Sequence, residues 1–222
     1  MKLALISDTH SYLPEIPIDV DAVIHAGDIG PDRDPINWFR DVLYPWAERV
    51  DVSIFATFGN HDFIGQRHAT PRGCPDNLHF IVDQAHTING VKFWFSPWSN
   101  LFGSWAWMVD EAGLAARYAK IDEDAEVIVS HGPPKYHGDK ILWDGKIQNV
   151  GSVALAERAA QLPKLKLIIT GHIHEAFGDY DMRGVRVLNV SHVNEFYQPT
   201  HAPVVIEIAD ITDADRATKV VA

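Results

Sequence analysis

The chain has 222 residues, 46% of them hydrophobic and 22% charged, which predicts one domain, 1–222, with a substantial core and excludes a disordered chain. A formal charge of −11, from 30 acidic against 19 basic residues, repels polyphosphate backbones and argues against binding polymeric nucleic acid, though not against a small anionic substrate. One cysteine, Cys74, excludes an internal disulfide framework and suits a reducing, cytoplasmic setting; the N-terminal apolar run stops at Asp8, too short for a signal or a membrane span, and no later stretch reaches spanning length.

Residues 2–7 and 21–26 read as buried strands joined by a loop with Pro14 and Pro17. Asp34 is placed to cap a helix from Pro35, with Trp38, Phe39, Val42 and Leu43 on one face and Pro45 interrupting its second half. Residues 52–58 form the next strand. The stretch through Pro71, Gly73 and Pro75 has no periodicity. Leu78–Val82, His86–Ile88 and Val91–Phe95 follow as short antiparallel strands, with Asn89-Gly90 as a hairpin turn. After the aromatic stretch 97–107 comes a helix, Asp110 to Lys120, then the strand Glu126–Val129 and a long loop, 132–149. Ser152 caps a helix to about Gln161, with Glu157 two residues late for a capping box. Leu167–Thr170, Tyr180–Met182, Val185–Val190 and Val204–Ile208 complete a β-rich end, and Arg183-Gly184 is a turn. The tail after Asp210 is polar and peripheral. Two packed mixed sheets flanked by helices accommodate this order better than one parallel sheet.

Five short segments carry the chemistry: Asp8-Thr9-His10, Gly27-Asp28, Gly59-Asn60-His61-Asp62, Ser130-His131-Gly132 and Gly171-His172-Ile173-His174. Each follows a strand, the position where open α/β sheets place ligand crevices. Singly they have ordinary explanations, since Asp caps helices and Gly-Asn marks turns. Jointly they place seven oxygen and imidazole donors at one rim. Asp-x-His and His-x-His put both side chains on one side of an extended chain. Such donors, without thiolates, suit Mn, Fe, Zn, Co or Ni. A pair of divalent ions provides a hydroxide nucleophile and a clamp for phosphoryl oxygens. His61 is left to assist the leaving oxygen, and Asp62 to orient it. His25, His68, His79, His86, His137, His192 and His201 read mostly as loop or surface residues.

These segments resemble the calcineurin-like metallophosphoesterases, and that resemblance implies an αββα four-layer sandwich, an α/β fold with the site at one rim. It also implies one ion on Asp8, His10, Asp28 and His174. The other shares Asp28 and takes Asn60, His131 and His172. His61 is then the histidine facing the phosphate. Ser7-Asp-Thr-His-Ser11, His25-Ala-Gly-Asp28, Ser130-His-Gly-Pro-Pro134, Asn149-Val-Gly-Ser152, the Pro97-Trp98 loop, His172-Ile-His-Glu175 and Gln198-Pro-Thr200 are similar to the narrower metallophosphoesterase-domain-containing family, known in vertebrate brain. That likeness implies hydrolysis of phosphodiesters, including cyclic nucleotides, with Mn the first metal expected.

The aromatic segment is the candidate wall for a nucleobase, with Trp98 and Trp105 stacking and His137, Lys135 or Arg33 meeting phosphate; the alternative is that Trp98, Phe102, Trp105 and Trp107 pack beneath a loop. A phosphomonoesterase or protein phosphatase would share every metal ligand but needs an Arg cluster for a dianion, which is not evident. A metal-stabilised scaffold would lack a ligand or His61, and neither is missing.

Overall fold

Alternation within the apolar runs decides the layering. The structure, a computed structural model, describes residues 1–32, 35–67 and 72–208. Arg33, the Asp34 cap, His68 and the tail after Asp210 lie outside the described residues. In β1 (Lys2–Ile6), Leu3 and Leu5 face one core while Ala4 and Ile6 face another. Parallel to it run β2 (Ala22–His25), β3 (Ser53–Ala56) and β4 (Leu78–Phe80). The second sheet is built from β5 (Gln84–Ile88), β6 (Val91–Ser96), β9 (Val127–Ser130), β12 (Leu167–Thr170), β13 (Gly178–Met182) and β14 (Val185–Asn189), in the order β13-β14-β12-β9-β6-β5. Its four inner strands are parallel and its two edges antiparallel. β15 (Val204–Glu207) closes the first sheet antiparallel to β1.

Leu3, Leu5, Ile24, Phe93, Val129 and Ile169 fill the space between the sheets. Burying each contributes about 1.5–3 kcal/mol. The outer face of the first sheet packs on the helical segment α1 (Pro35–Trp38) and α2 (Tyr44–Glu48) through Phe39, Leu43 and Trp46, and on α3 (Phe63–Arg67) through Ile64. The outer face of the second packs on α4 (Glu111–Tyr118) and α5 (Val153–Ala159) through Leu114, Tyr118 and Leu155. The result is the αββα sandwich.

Four details differ from the sequence reading. β4 pairs parallel to β3 in the first sheet instead of antiparallel with its successors; only β5 and β6 form the antiparallel hairpin, in the second sheet. Between α1 and α2 the backbone forms a π-turn, Phe39–Leu43, with Tyr44 N–H reaching Phe39 O. Widening the helix ahead of Pro45, which lacks an N–H, lets the chain continue helical through it; Val42 turns outward, 41% exposed. The loop 132–149 contains a hairpin, β10 (Lys140–Trp143) and β11 (Lys146–Asn149), turning at Asp144-Gly145 with φ of 50° and 68°. The aromatic stretch holds a two-residue pair, β7 (Ser99–Asn100) with β8 (Met108–Val109).

The site's position follows from where the sheets meet. At the carboxyl ends of β1 and β14, Ser7 N–H donates to Val190 O at 3.1 Å and His192 N–H to Ser7 O at 2.8 Å. The parallel strands of both sheets therefore open their loops onto one rim. No helix among the described residues is long and apolar enough to cross a membrane.

Candidate metal centre

Each donor stands on a turn that its strand end forces. Asp8, His10, Asp28 and His172 have φ of 50°, 40°, 54° and 70°, a left-handed conformation that costs about 1–3 kcal/mol per residue and clusters at functional sites. Convergence thus comes from tight turns, not from the extended alternation inferred for Asp-x-His and His-x-His. The glycines of these motifs allow the approach: a Cβ at Gly171 would collide with Asp8 Oδ2 and Ser7 Oγ, and one at Gly59 with Asp28 Oδ1.

The donors gather in two groups. Asp8, His10 and His174 form one; Asp28, His131 and His172 form the other, with Asn60 Oδ1 2.9 Å from His131 Nε2. His172 and His174, two residues apart, serve different groups. In the first, His10 Nε2 lies 3.3 Å from His174 Nε2, and His174 Nε2 lies 3.4 Å from Asp8 Oδ1. Asp28 stands between the groups, its Oδ2 3.7 Å from His10 Nε2 and 3.4 Å from His131 Nε2. Its Oδ1 accepts His61 N–H at 2.8 Å.

Bonds behind the donors fix their orientation. His131 Nδ1–H donates to Ala26 O at 3.0 Å and His174 Nδ1–H to Asn194 O at 3.2 Å, so both present Nε2 to the centre. Asp8 accepts His172 N–H at 2.9 Å and Ser191 Oγ–H at 2.9 Å. Asn189 Nδ2 holds the carbonyls of Gly171 and Ile173, at 3.2 and 2.8 Å. His25, read as an ordinary loop or surface residue, is buried. Its Nε2–H donates to Thr9 Oγ1 at 3.0 Å, its Nδ1 accepts Gly27 N–H at 3.2 Å, and burial lowers it to about 3. It is a neutral brace between the Asp8 and Asp28 turns.

Electrostatics ask for a cation. Asp8 and Asp28 are 0% and 1% exposed, and among the described residues their ion-pair partners are histidines alone. Burial pushes both carboxyls up, but His174 and His131 for Asp8, and His131, His61 and His10 for Asp28, bring them below the usual range. Burial lowers His10 to about 4 against the pull of Asp28 and Asp8; burial and then His131 lower His172 to about 3. Burial also draws His131 down, but Asp28 and Asp8 outweigh it and lift it to about 9. Buried carboxylates are stable only beside positive charge, which the raised His131 supplies in part. Donor separations of 2.9–3.7 Å suit atoms sharing ions at about 2.0–2.2 Å. The residues present fit a pair of divalent metals.

His61 joins a third, overlapping cluster with His10 and Asp28. Its Nδ1–H donates to Asp32 Oδ1 at 2.5 Å, which leaves Nε2 free for a substrate. This corrects the orienting role expected of Asp62. The Asp62 carboxylate turns beneath the loop and accepts Gly59 N–H at 2.8 Å and Ile29 N–H at 3.0 Å, tying the Asp28 turn to the Asn60 turn. Burial, then the charge of Asp28, raises it to about 7.

A cleft of about 130 Å³ opens over the donors, lined by Asp28, Asn60, His61, Phe102, Trp105, His172, His174 and Tyr197. Of the expected substrate residues, only Trp105 is there among the described residues. Trp98 packs between cores, its Nε1–H on Asp83 Oδ2 at 2.7 Å and the Arg117 guanidinium 3.7 Å from its ring centre. His137 turns Nδ1 to Lys135 O at 2.9 Å and does not line the cleft, while Lys135 Nζ is held by Asn149 O. A larger hollow of about 460 Å³, bounded by residues 13–18 and 49–52, contains none of the donor clusters.

The family model for calcineurin-like phosphoesterases matches residues 1–176. The chain belongs to the calcineurin-like phosphoesterase family. Within it, the chain is 25% identical to human metallophosphoesterase domain-containing protein 1, over 93% of this chain and 71% of that one, and to its mouse counterpart equally. A UPF0046 protein of Caenorhabditis elegans is 23% identical over 94% of this chain and 81% of its own. Among solved structures, the Haemophilus influenzae NAD nucleotidase NadN aligns with 93% of this chain and 44% of its own, at 15% identity and a TM-score of 0.43. This calcineurin-like phosphoesterase therefore combines a family known for dinuclear metal dependence with two grouped sets of candidate ligands.

Proposed function

We propose that this chain is a two-metal phosphodiesterase acting on small diesters such as cyclic nucleotides. Asp8, His10, Asp28 and His174 would hold one ion, and Asp28, Asn60, His131 and His172 the other, with Mn first and Fe, Zn, Ni or Co as alternatives. One observation carries the reading: Asp28 Oδ2 stands between both donor groups while its Oδ1 is bonded to the His61 backbone. When bound, such a pair supplies charge for the phosphoryl oxygens and lowers the pKa of water. The chain's own contribution is orientation and proton delivery. Asp32 holds His61 by Nδ1, so His61 offers Nε2–H to the leaving oxygen and gives it that proton as the ester bond breaks. Asp62 keeps the two loops in register.

Preference for diesters rests on the cleft lining, which among the described residues contains neither Lys nor Arg. A monoester dianion has an extra charge that such groups would normally meet. The reducing, cytoplasmic setting remains part of the proposal, on the single Cys74. The test is a panel of 2′,3′- and 3′,5′-cyclic nucleotides, bis(p-nitrophenyl) phosphate and p-nitrophenyl phosphate, each with Mn, Zn, Ni and Mg. Diesters are expected to lead by kcat/KM, and a wide preference for the monoester would overturn the reading.

A further inference from the structure

The cleft is small for a nucleotide, and its rim is aromatic. Trp105, Phe102 and Tyr197 are 37%, 58% and 45% exposed, yet each ring rests on a histidine of the centre. Trp105 lies 4.3 Å from His61 at 31° between planes. Tyr197 stands edge-on, 4.8 Å from His10, 5.1 Å from His174 and 6.2 Å from His61. Phe102 lies 5.5 Å from His172. Trp105 and Tyr197 both touch His61, but no ring contact joins them to each other among the described residues. Both line the cleft beside the proton donor His61.

Tyr197 is held there firmly. Its φ is 58°, and Asn194 staples its loop: Oδ1 accepts Phe196 N–H and Gln198 N–H at 3.0 Å each, and Tyr197 N–H bonds Asn194 O at 2.9 Å. The same Asn194 O accepts His174 Nδ1–H, so the loop that presents the ring also orients a candidate metal ligand. Exposed aromatic rings grouped around one cleft mark a ligand-binding surface.

Building on the diesterase reading, we infer that Trp105 and Tyr197 form a two-sided subsite for a planar, uncharged ring on the ester group next to His61, such as a nucleobase. The phosphate occupies the cleft over the two donor groups, and the ring stacks at its mouth. Stacking is indifferent to which base is present, so the site selects for a base without choosing among bases.

Two probes separate this from a general effect on the centre. Adenosine 2′,3′-cyclic phosphate and glycerol 1,2-cyclic phosphate share one five-membered cyclic diester, with and without a base. The wild-type protein with Mn is expected to prefer the nucleotide. Tyr197→Leu and Trp105→Leu should each cut that preference about 5- to 150-fold, mainly through KM, the range of one lost stack. Tyr197→Phe and Trp105→Phe should restore it. Equal losses on both probes, or an unchanged preference, would overturn the subsite while leaving the diesterase reading intact. Hydrolysis of p-nitrophenyl phosphate with neither cyclic probe cleaved would overturn both.

Discussion

His61 gathers three separate contacts: its backbone on Asp28, its Nδ1 on Asp32 and its ring against Trp105. Because its Nδ1 is held by Asp32 and it belongs to neither proposed ligand set, His61→Ala should retain both metals by elemental analysis and lose at least ~10²-fold in kcat. Asp32→Asn keeps an oxygen for Nδ1–H and should lose less. Combined with His61→Ala it should cost nothing further, since both act through one ring. A fully additive double variant would show that Asp32 works elsewhere. At the neighbouring turn, Gly171→Ala would drive a methyl into the Asp8 carboxylate and Ser7. Metal occupancy should fall by one ion per chain as the Asp8 group is displaced, and a fully loaded Gly171→Ala protein would refute that packing.

Between elements, a single carboxylate joins α4 to α5. Glu111 accepts Asn100 Nδ2–H at 2.7 Å, Ser152 Oγ–H at 3.1 Å, and the N–H groups of Val153 and Ala154 at 3.0 Å each. It does for the first turn of α5 what Glu157 was too late to do. Burial works to raise its pKa, but these bonds win and leave it below 4.5. A depressed carboxyl contributes its full stability above its unfolded value and loses it as pH falls through the folded one. Glu111→Gln should therefore cost about 1–2 kcal/mol at pH 7. The penalty should shrink below pH 4.5 in denaturant titrations, and a pH-independent one would assign it to packing.

Much of this was legible in the chain. Runs such as LALI, VIVS and LIIT read as strands because buried parallel strands need continuous β-branched residues, and the polar residue ending each run marked the rim. The hairpin at Asp144-Gly145 escaped despite its turn signal, because its strands are exposed and carry no alternating face: Leu142, Trp143 and Ile147 are all outward. Asp32 and Tyr197 gave no sign, since a lone Asp or Tyr in a loop acquires meaning only from what the fold brings to it. Asn189 and Ser191 did carry the strand-end signature and support the centre rather than form it.

At the scale of the molecule, the candidate centre is where two sheets meet, and its charges belong to both. Asp8 and Asp28 end strands of the first sheet, while His131 and His172 end strands of the second. Ions bound between them would tie the layers together, stabilising the fold by about 2.7 kcal/mol at a hundredfold excess over Kd. Protons hold part of that place in the metal-free protein. His131, lifted to about 9 by Asp28 and Asp8, carries a proton at pH 7, and its Nε2 must release it to bind an ion. Metal affinity should then rise as pH climbs towards 9 and level off above. At pH 7, Mn binding should release about one proton or more per chain. Calorimetry in buffers of different ionisation enthalpy measures that number directly. A value of zero would mean that His131 is already neutral in the metal-free protein.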